Sequence, residues 1–404
     1  MILEELKDKE KWNEFREYKI SHNQLSKKEI KELDTYIDEE RYLPVCKDMS
    51  FSIPQKIIIT KLNSFKKRTV YSFNNDETWV LKLMTYLLYR YDDILSDNCY
   101  SFRRSTTAKN AFDRIMKIDN LDEKYVLKLD IHDYFNSIDV DSLMRILDEK
   151  IDDKELLKFF DELLHVDKYI YNDEIIEEKR GAMAGVPLAS FFANVYLDSL
   201  DRLFENRDYF RYSDDLIVFC DSGEEANLCF EKIKNHIENK GLLLNEEKTT
   251  IFKPHESWNF LGFKYQEGRI DLSDVTVNKM KGKIRRKARN LCRKKDRNSY
   301  SYDKVATIMI RYFDNVFYDF SGNNDFTWSR FYFPVVNTTD GLHKIDEYMQ
   351  MYLRYLYSGR HYKGNYAISY EHLSKLGYTS LVGEYYHWKQ ENILLDKLNQ
   401  NNKD

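Results

Sequence analysis

The sequence predicts an α+β fold, with short strands and helices mixed over the first two thirds and an all-helical, basic stretch beyond about Asp271. Three observations carry this. Runs such as KIIITKL, YVLKLD and YFRYSDDLIVF are rich in β-branched and aromatic residues and bounded by polar turns. The segments between them space apolar residues as helices do, and a Lys/Arg-rich run follows from Lys279 to Arg297. At 404 residues the chain has room for two or three cooperating parts, divided here as 1–50, 51–270 and 271–404.

Residues 1–50 set Leu3, Leu6, Trp12, Phe15, Tyr18 and Ile20 among charges at roughly helical spacing, which reads as one or two surface helices. From Ile53 to Phe73 two strands flank the basic turn SFKKR. Glu77–Ile94 and Ser101–Ile118 read as helices, YVLKLD as a strand ending at Asp130, and Asp141–Leu164 as helical again. Gly181–Leu203 opens as a Gly/Pro loop and becomes an apolar helix, after which YFRYSDDLIVF makes two short strands around a polar turn. Glu224–Lys240 has the pattern of a surface helix, LLLN and WNFLGFKY add short strands, and SGNND (Ser321–Asp325) is the clearest internal linker.

Composition narrows the function classes. Hydrophobic residues at 42% and aromatics at 15% exclude a disordered chain despite the 32% charged fraction. The net charge of -5 does not advertise a nucleic-acid binder, but binding responds to local potential, and Lys279–Arg297 is strongly basic. Five cysteines without CxxC spacing argue against a disulfide framework and a zinc cluster, so a reducing cytoplasm is expected. Neither a secretory leader nor a membrane-length apolar stretch is legible, and no membrane association is expected.

The chemistry gathers at three acids. Asp130 ends an apolar strand, and Asp214 and Asp215 occupy the polar turn of an apolar hairpin. An Asp pair in a turn is commonly a solvated loop, because Asp favours turns for local hydrogen bonding. Here the flanks YFRY and LIVF bury the hairpin and hold the acids at its tip. Carboxylates brought together repel, and divalent cations relieve that repulsion. Two Mg²⁺ ions, with Mn²⁺ as the substitute, would serve an in-line nucleotidyl transfer.

LKLDIHDYFNSID, GVPLASFFANVYLDSLD, YFRYSDDLIVF, LLLNEEKT and FLGF occur in this order, and together they resemble palm motifs A to E of reverse transcriptases across roughly Ile53–Tyr265. The resemblance implies a right-hand polymerase fold, with fingers and palm followed by an α-helical thumb, and RNA-directed DNA synthesis from deoxynucleotides. It makes Asp130, Asp214 and Asp215 the catalytic acids and metal ligands, with the Ile131 carbonyl as a further ligand. Phe135 falls at the family's sugar gate, where an aromatic ring leaves no room for a 2′-hydroxyl. Lys67 and Arg68, with Lys66 and Lys61 nearby, would clamp the triphosphate. Arg103 would lie near template and nucleotide, Gly185 and Pro187 would let the backbone approach the templating base pair, and Lys248 would neutralise or protonate the leaving pyrophosphate. The loop departs from the commonest family pattern at Ala184, where many relatives carry glutamine, and at Ala189. Leu261 and Gly262 would form the primer grip. In the thumb position, Lys283, Arg286 and Lys287 on a basic helix would track nucleic-acid phosphates.

The nearest counterparts of the retron signatures, NNDE and Val275-Thr276-Val277, depart from them. The wording of KKRTVYSF, YSFR and AGVPLASFFANVYL is most similar to the unclassified and abortive-infection, phage-defence-associated bacterial reverse transcriptases. That resemblance implies an antiviral role, an RNA template that is a dedicated non-coding RNA, a DNA product, and a homo-oligomer or partner protein. Template-independent or protein-primed synthesis on the same palm, and an inactive RNA-binding scaffold, stay open at this stage.

Overall fold

The computed structural model describes residues 1–22, 24–60, 67–179, 181–318 and 327–401. Lys61, Lys66 and the SGNND stretch lie outside the described residues. The fold is α+β and divides into two compact units, one comprising Met1–His22 with Lys28–Leu261, the other built on the residues from Gly262 onward.

Strands β1 (Gln55–Thr60), β2 (Lys67–Ser72), β3 (Tyr125–Asp130), β4 (Lys168–Tyr171), β5 (Glu174–Glu177), β6 (Tyr209–Tyr212), β7 (Asp215–Cys220) and β8 (Thr250–Phe252) form two sheets of the first unit. One runs β2-β1-β4-β5 and the other β6-β7-β3-β8. The second is antiparallel throughout, and Leu127, Leu129, Leu216, Ile217 and Val218 at its centre have no exposed surface. The helix Ala189–Leu203 buries eleven of its fifteen residues, and the helix Gly223–Asn239 covers β3 and β7. A layer of helices on an antiparallel sheet thus holds the core of this unit.

Three local readings change. Trp12, Phe15, Tyr36 and Tyr42 are buried, with Trp12 stacked on Tyr42 at 5.0 Å, so the expected surface helices near the start of the chain carry an aromatic core. The helix expected from Ser101 begins at Ala108, where Thr107 and Asn110 form a capping box. The LLLN segment makes only a single bridge, Leu244 to Ile131.

In the second unit, β10 (Phe263–Gln266) and β11 (Arg269–Leu272) form an antiparallel hairpin, β9 (Trp258–Phe260) being the last strand of the first. The basic run is a helix, Asp274–Asn298, capped by Ser273. Its buried Met280, Ile284, Ala288 and Leu291 recur at helical spacing, and it packs chiefly on the helix Asp340–Ser358. The tyrosines of the tail divide: Tyr352 is buried, whereas Tyr357 and Tyr362 are exposed.

Candidate active site

The three acids meet because the sheet register brings them together. Asp130 is the last residue of β3 and pairs directly with Asp215, the first residue of β7. Tyr212 pairs with Asp215 across the hairpin, leaving Ser213 and Asp214 as a two-residue turn. Tight hairpin turns call for positive φ, and Ser213 supplies it at 61° without being glycine. The Asp214 carbonyl accepts from the Ile131 amide at 3.1 Å, which fixes this turn against the end of β3.

The turn is braced from inside the core. Arg211 and Asp201, both without solvent exposure, form a two-pronged ion pair at 2.5 and 2.7 Å. Arg211 also donates to the Ser213 carbonyl at 3.3 Å, and Tyr209 donates to Asp201 at 2.9 Å. The Ser213 amide donates to the Ser101 hydroxyl at 2.9 Å, and that hydroxyl donates to Asn194 at 3.1 Å. Sequence reasoning missed Asp201, Tyr209 and Arg211. The signal present was polar residues (Asp198, Asp201, Arg211) inside segments otherwise reading as buried, which require partners.

Electrostatically the acids are costly as they stand. Burial raises the Asp214 carboxyl above its ordinary range and the charge of Asp130 adds to this, while Lys248 and Arg68 pull it back. Burial likewise raises Asp215 to about 6, against the pull of Lys128, with Asp214 and Asp130 adding their charge. Lys248 contacts the Asp130 carboxylate at 2.5 Å, Asn245 donates to its other oxygen at 3.0 Å, and Lys128 lies 3.4 Å from Asp215. Lys128 and Asn245 were not singled out in the sequence.

The donor set fits a hard divalent cation, since it offers carboxylate oxygens whose mutual repulsion such a charge removes. Among the described residues no group of three or more His, Cys, Asp or Glu side chains is gathered as a ready cage. Mg²⁺ does not require one, because it is held by one or two carboxylates together with substrate phosphates.

Around the acids, Asn136 ties three segments together. Its side chain donates to the Thr69 carbonyl of β2 at 3.3 Å and accepts from the Ala184 amide at 3.0 Å, while the Tyr71 amide donates to the Ala184 carbonyl at 2.7 Å. Phe135, half-buried, has its carbonyl bound by the Ala182 amide at 2.8 Å. Gly185 has φ +101°, and a Cβ there would lie 2.9 Å from the Tyr71 carbonyl, so this close approach needs glycine. Pro187 ends the loop, its carbonyl accepting from the Ser190 hydroxyl at 3.2 Å. Lys67 and Arg68 are exposed on β2.

The structure thus brings Asp130, Ile131, Asp214, Asp215, Arg68 and Lys248 into one neighbourhood, with Phe135 and Gly185 linked to it through the Asn136 bonds. Arg103 is turned inward instead: its guanidinium donates to the carbonyls of Ser96, Cys99 and Asp92 and leaves Nε buried without a partner. Leu261 and Gly262 both have positive φ, and the Gly262 carbonyl accepts from Ser273 and Thr276. On the basic helix Lys283 is exposed, whereas Lys287 lies over the Tyr312 ring at 3.7 Å.

A family model described as reverse transcriptase (RNA-dependent DNA polymerase) matches residues 59–265, just over half of the chain. The chain belongs to the reverse transcriptase family. No curated protein matches it. Among solved structures, it is similar to apo telomerase from Candida tropicalis, at 14% identity and a TM-score of 0.43, covering 76% of this chain and 64% of that one. It is also similar to the form of that telomerase truncated from the C-terminal domain, at 14% identity, a TM-score of 0.41 and 55% of each chain. The chain therefore spans less than two thirds of either telomerase chain.

Proposed function

We propose that this protein is an RNA-directed DNA polymerase that makes cDNA by metal-assisted nucleotidyl transfer. The observation that carries the reading is the register pairing of Asp130 with Asp215, beside a turn that presents Asp214. Asp130, Asp214, Asp215 and the Ile131 carbonyl would hold two divalent ions, Mg²⁺ or Mn²⁺, which when bound supply activation of a primer hydroxyl and charge neutralisation at the departing pyrophosphate. Lys248 sits within reach of the same acids as a cation for the leaving phosphates, and Arg68, with Lys67 beside it, offers positive charge to the triphosphate. Phe135 blocks a 2′-hydroxyl and selects deoxynucleotides. Arg211 and Asp201 keep the acid turn from shifting.

The reading extends to an RNA template, a DNA product and dNTPs as partners, with phosphates tracked by Lys283, Arg286 and Lys287, and to a cytoplasmic setting supported by cysteine usage. The likeness of KKRTVYSF and AGVPLASFFANVYL to defence-associated enzymes supports an antiviral role. Sequencing the DNA made by purified protein from dNTPs, Mg²⁺ and a supplied primed RNA tests the reading. A product complementary to the RNA is the expected result. A homopolymeric or random product would replace it with untemplated synthesis.

A further inference from the structure

Residues 262–404 carry 24 Lys and Arg against 16 Asp and Glu, a net +8, so the rest of the chain carries -13. Within this positive unit, after the helix Asp340–Ser358, a cavity of about 240 Å³ is lined by Met351, Arg354, His361, Tyr362, Lys363 and Tyr366, together with Asn365. It has no carboxylate in its wall. Two of its aromatic rings are set out to solvent, Tyr362 at 54% and Tyr366 at 69% exposure.

These rings are held. The Arg354 guanidinium lies 5.3 Å from the Tyr366 ring centroid and is itself fixed by donation to the Ile368 carbonyl at 2.9 Å. A Cβ on Gly364 would fall 2.3 to 2.8 Å from the Tyr362 ring and hydroxyl, so glycine is what allows that ring its position. The buried Asn365 donates to the Arg360 carbonyl at 2.6 Å and accepts from Ser358 at 2.7 Å, which pins the loop carrying both tyrosines. His361 lies behind, its ring centroid 4.8 Å from that of Tyr355 and tilted against it.

We propose that this cavity is a stacking subsite for single-stranded nucleic acid, taking one base between Tyr362 and Tyr366 and the adjoining phosphate on Arg354 and Lys363. Exposed rings beside a fixed guanidinium and a lysine are what a strand of arbitrary sequence needs, because every base has a π-face and every link a negative charge. The volume falls below the roughly 300 Å³ of typical small-ligand pockets, which suits a single base better than a whole nucleotide cofactor. The site lies outside the acid cluster and extends the polymerase reading by giving the enzyme a hold on unpaired strand.

The test is anisotropy of a fluorescent oligo-uridine of about twelve nucleotides, within the span such grooves cover, measured on the full chain in EDTA without dNTPs. Binding is thereby scored separately from synthesis, which is assayed in parallel on a primed RNA. Tyr362→Ala with Tyr366→Ala is expected to weaken binding about tenfold. Gly364→Ala, which keeps both rings but displaces Tyr362, should weaken it in the same direction, and a 4-thiouridine probe should crosslink to Tyr362 or Tyr366 in the unaltered protein. Crosslinks only elsewhere, with affinity unchanged in Gly364→Ala, would overturn the proposal, as would competition by uridine monophosphate as effective as that by the oligonucleotide. The crosslink map on unaltered protein decides the matter even where the double variant fails to fold.

Discussion

Arg211 and Asp201 form an ion pair from which solvent is wholly excluded, and the same guanidinium holds the carbonyl of Ser213, the residue before Asp214. A buried pair adds little net stability over apolar residues of the same shape, but removing one partner strands the other charge in the core. Arg211→Ala or Asp201→Ala should therefore cost about 3–5 kcal/mol, read by chemical denaturation. Replacing both with apolar residues of similar size should recover much of the stability while nucleotide incorporation stays depressed, because the turn has lost its brace.

The acids should couple stability to pH and to metal. With its carboxyl raised to about 6, Asp215 contributes stability that is full below its ordinary value of 3.8 and lost as pH rises through 6. Above that pH the ionised cluster is a cost that a divalent cation relieves. Mg²⁺ should thus raise Tm by several degrees at pH 7.5 and little at pH 5, and Asp214→Asn with Asp215→Asn should abolish the increment. Calorimetric scans with and without EDTA check this.

Phe135 is half-buried, its ring centroid 5.7 Å from that of Tyr134 and its carbonyl bound by the Ala182 amide. Phe135→Ala should leave the fold intact and raise ribonucleotide incorporation relative to deoxynucleotide by about tenfold or more. Competition between labelled rNTP and dNTP in primer extension measures the ratio.

Asn136 joins β2 to the loop before the helix Ala189–Leu203. Asn136→Ala removes both bonds and leaves the Ala184 amide unpaired, at a cost of about 1–3 kcal/mol. Gly185→Ala places a Cβ 2.9 Å from the Tyr71 carbonyl at a φ that disfavours it. Both variants should raise KM for dNTP more than they change kcat, since they shift β2, where Arg68 sits, relative to the acids; steady-state kinetics on a primed RNA separates the two.

Much of this was legible in the residues. β3, β6 and β7 announced themselves through YVLKLD and YFRYSDDLIVF, because a strand buried on both faces reads as an apolar run and polar residues then mark its ends. The β4–β5 hairpin was missed, although Asn172 and Asp173 take the left-handed conformations that a tight turn needs, because the flanking YIY and EIIE are short and half exposed. The resemblance places Arg103 near template and nucleotide, and its basic character in YSFRR gives no hint of the three backbone carbonyls its guanidinium meets. Lys128, Asn245 and Asn136 were invisible for a related reason. Their partners lie 87, 115 and 48 to 67 residues away in sequence, and only the tertiary fold brings them together.

On the proposed reading, the pair formed by Asp130 and Asp215, with Asp214 beside it, drives deoxynucleotide transfer on RNA. Its most direct test is primer extension on an RNA template with dNTPs and Mg²⁺, comparing the unaltered protein with Asp130→Asn and Asp214→Asn variants matched for Tm in EDTA. Since even outer-sphere partners of a metal cost about 10–100-fold when lost, extension by either variant should fall by more than about a hundredfold. Extension that persists in both variants at the rate of the unaltered protein would contradict the account.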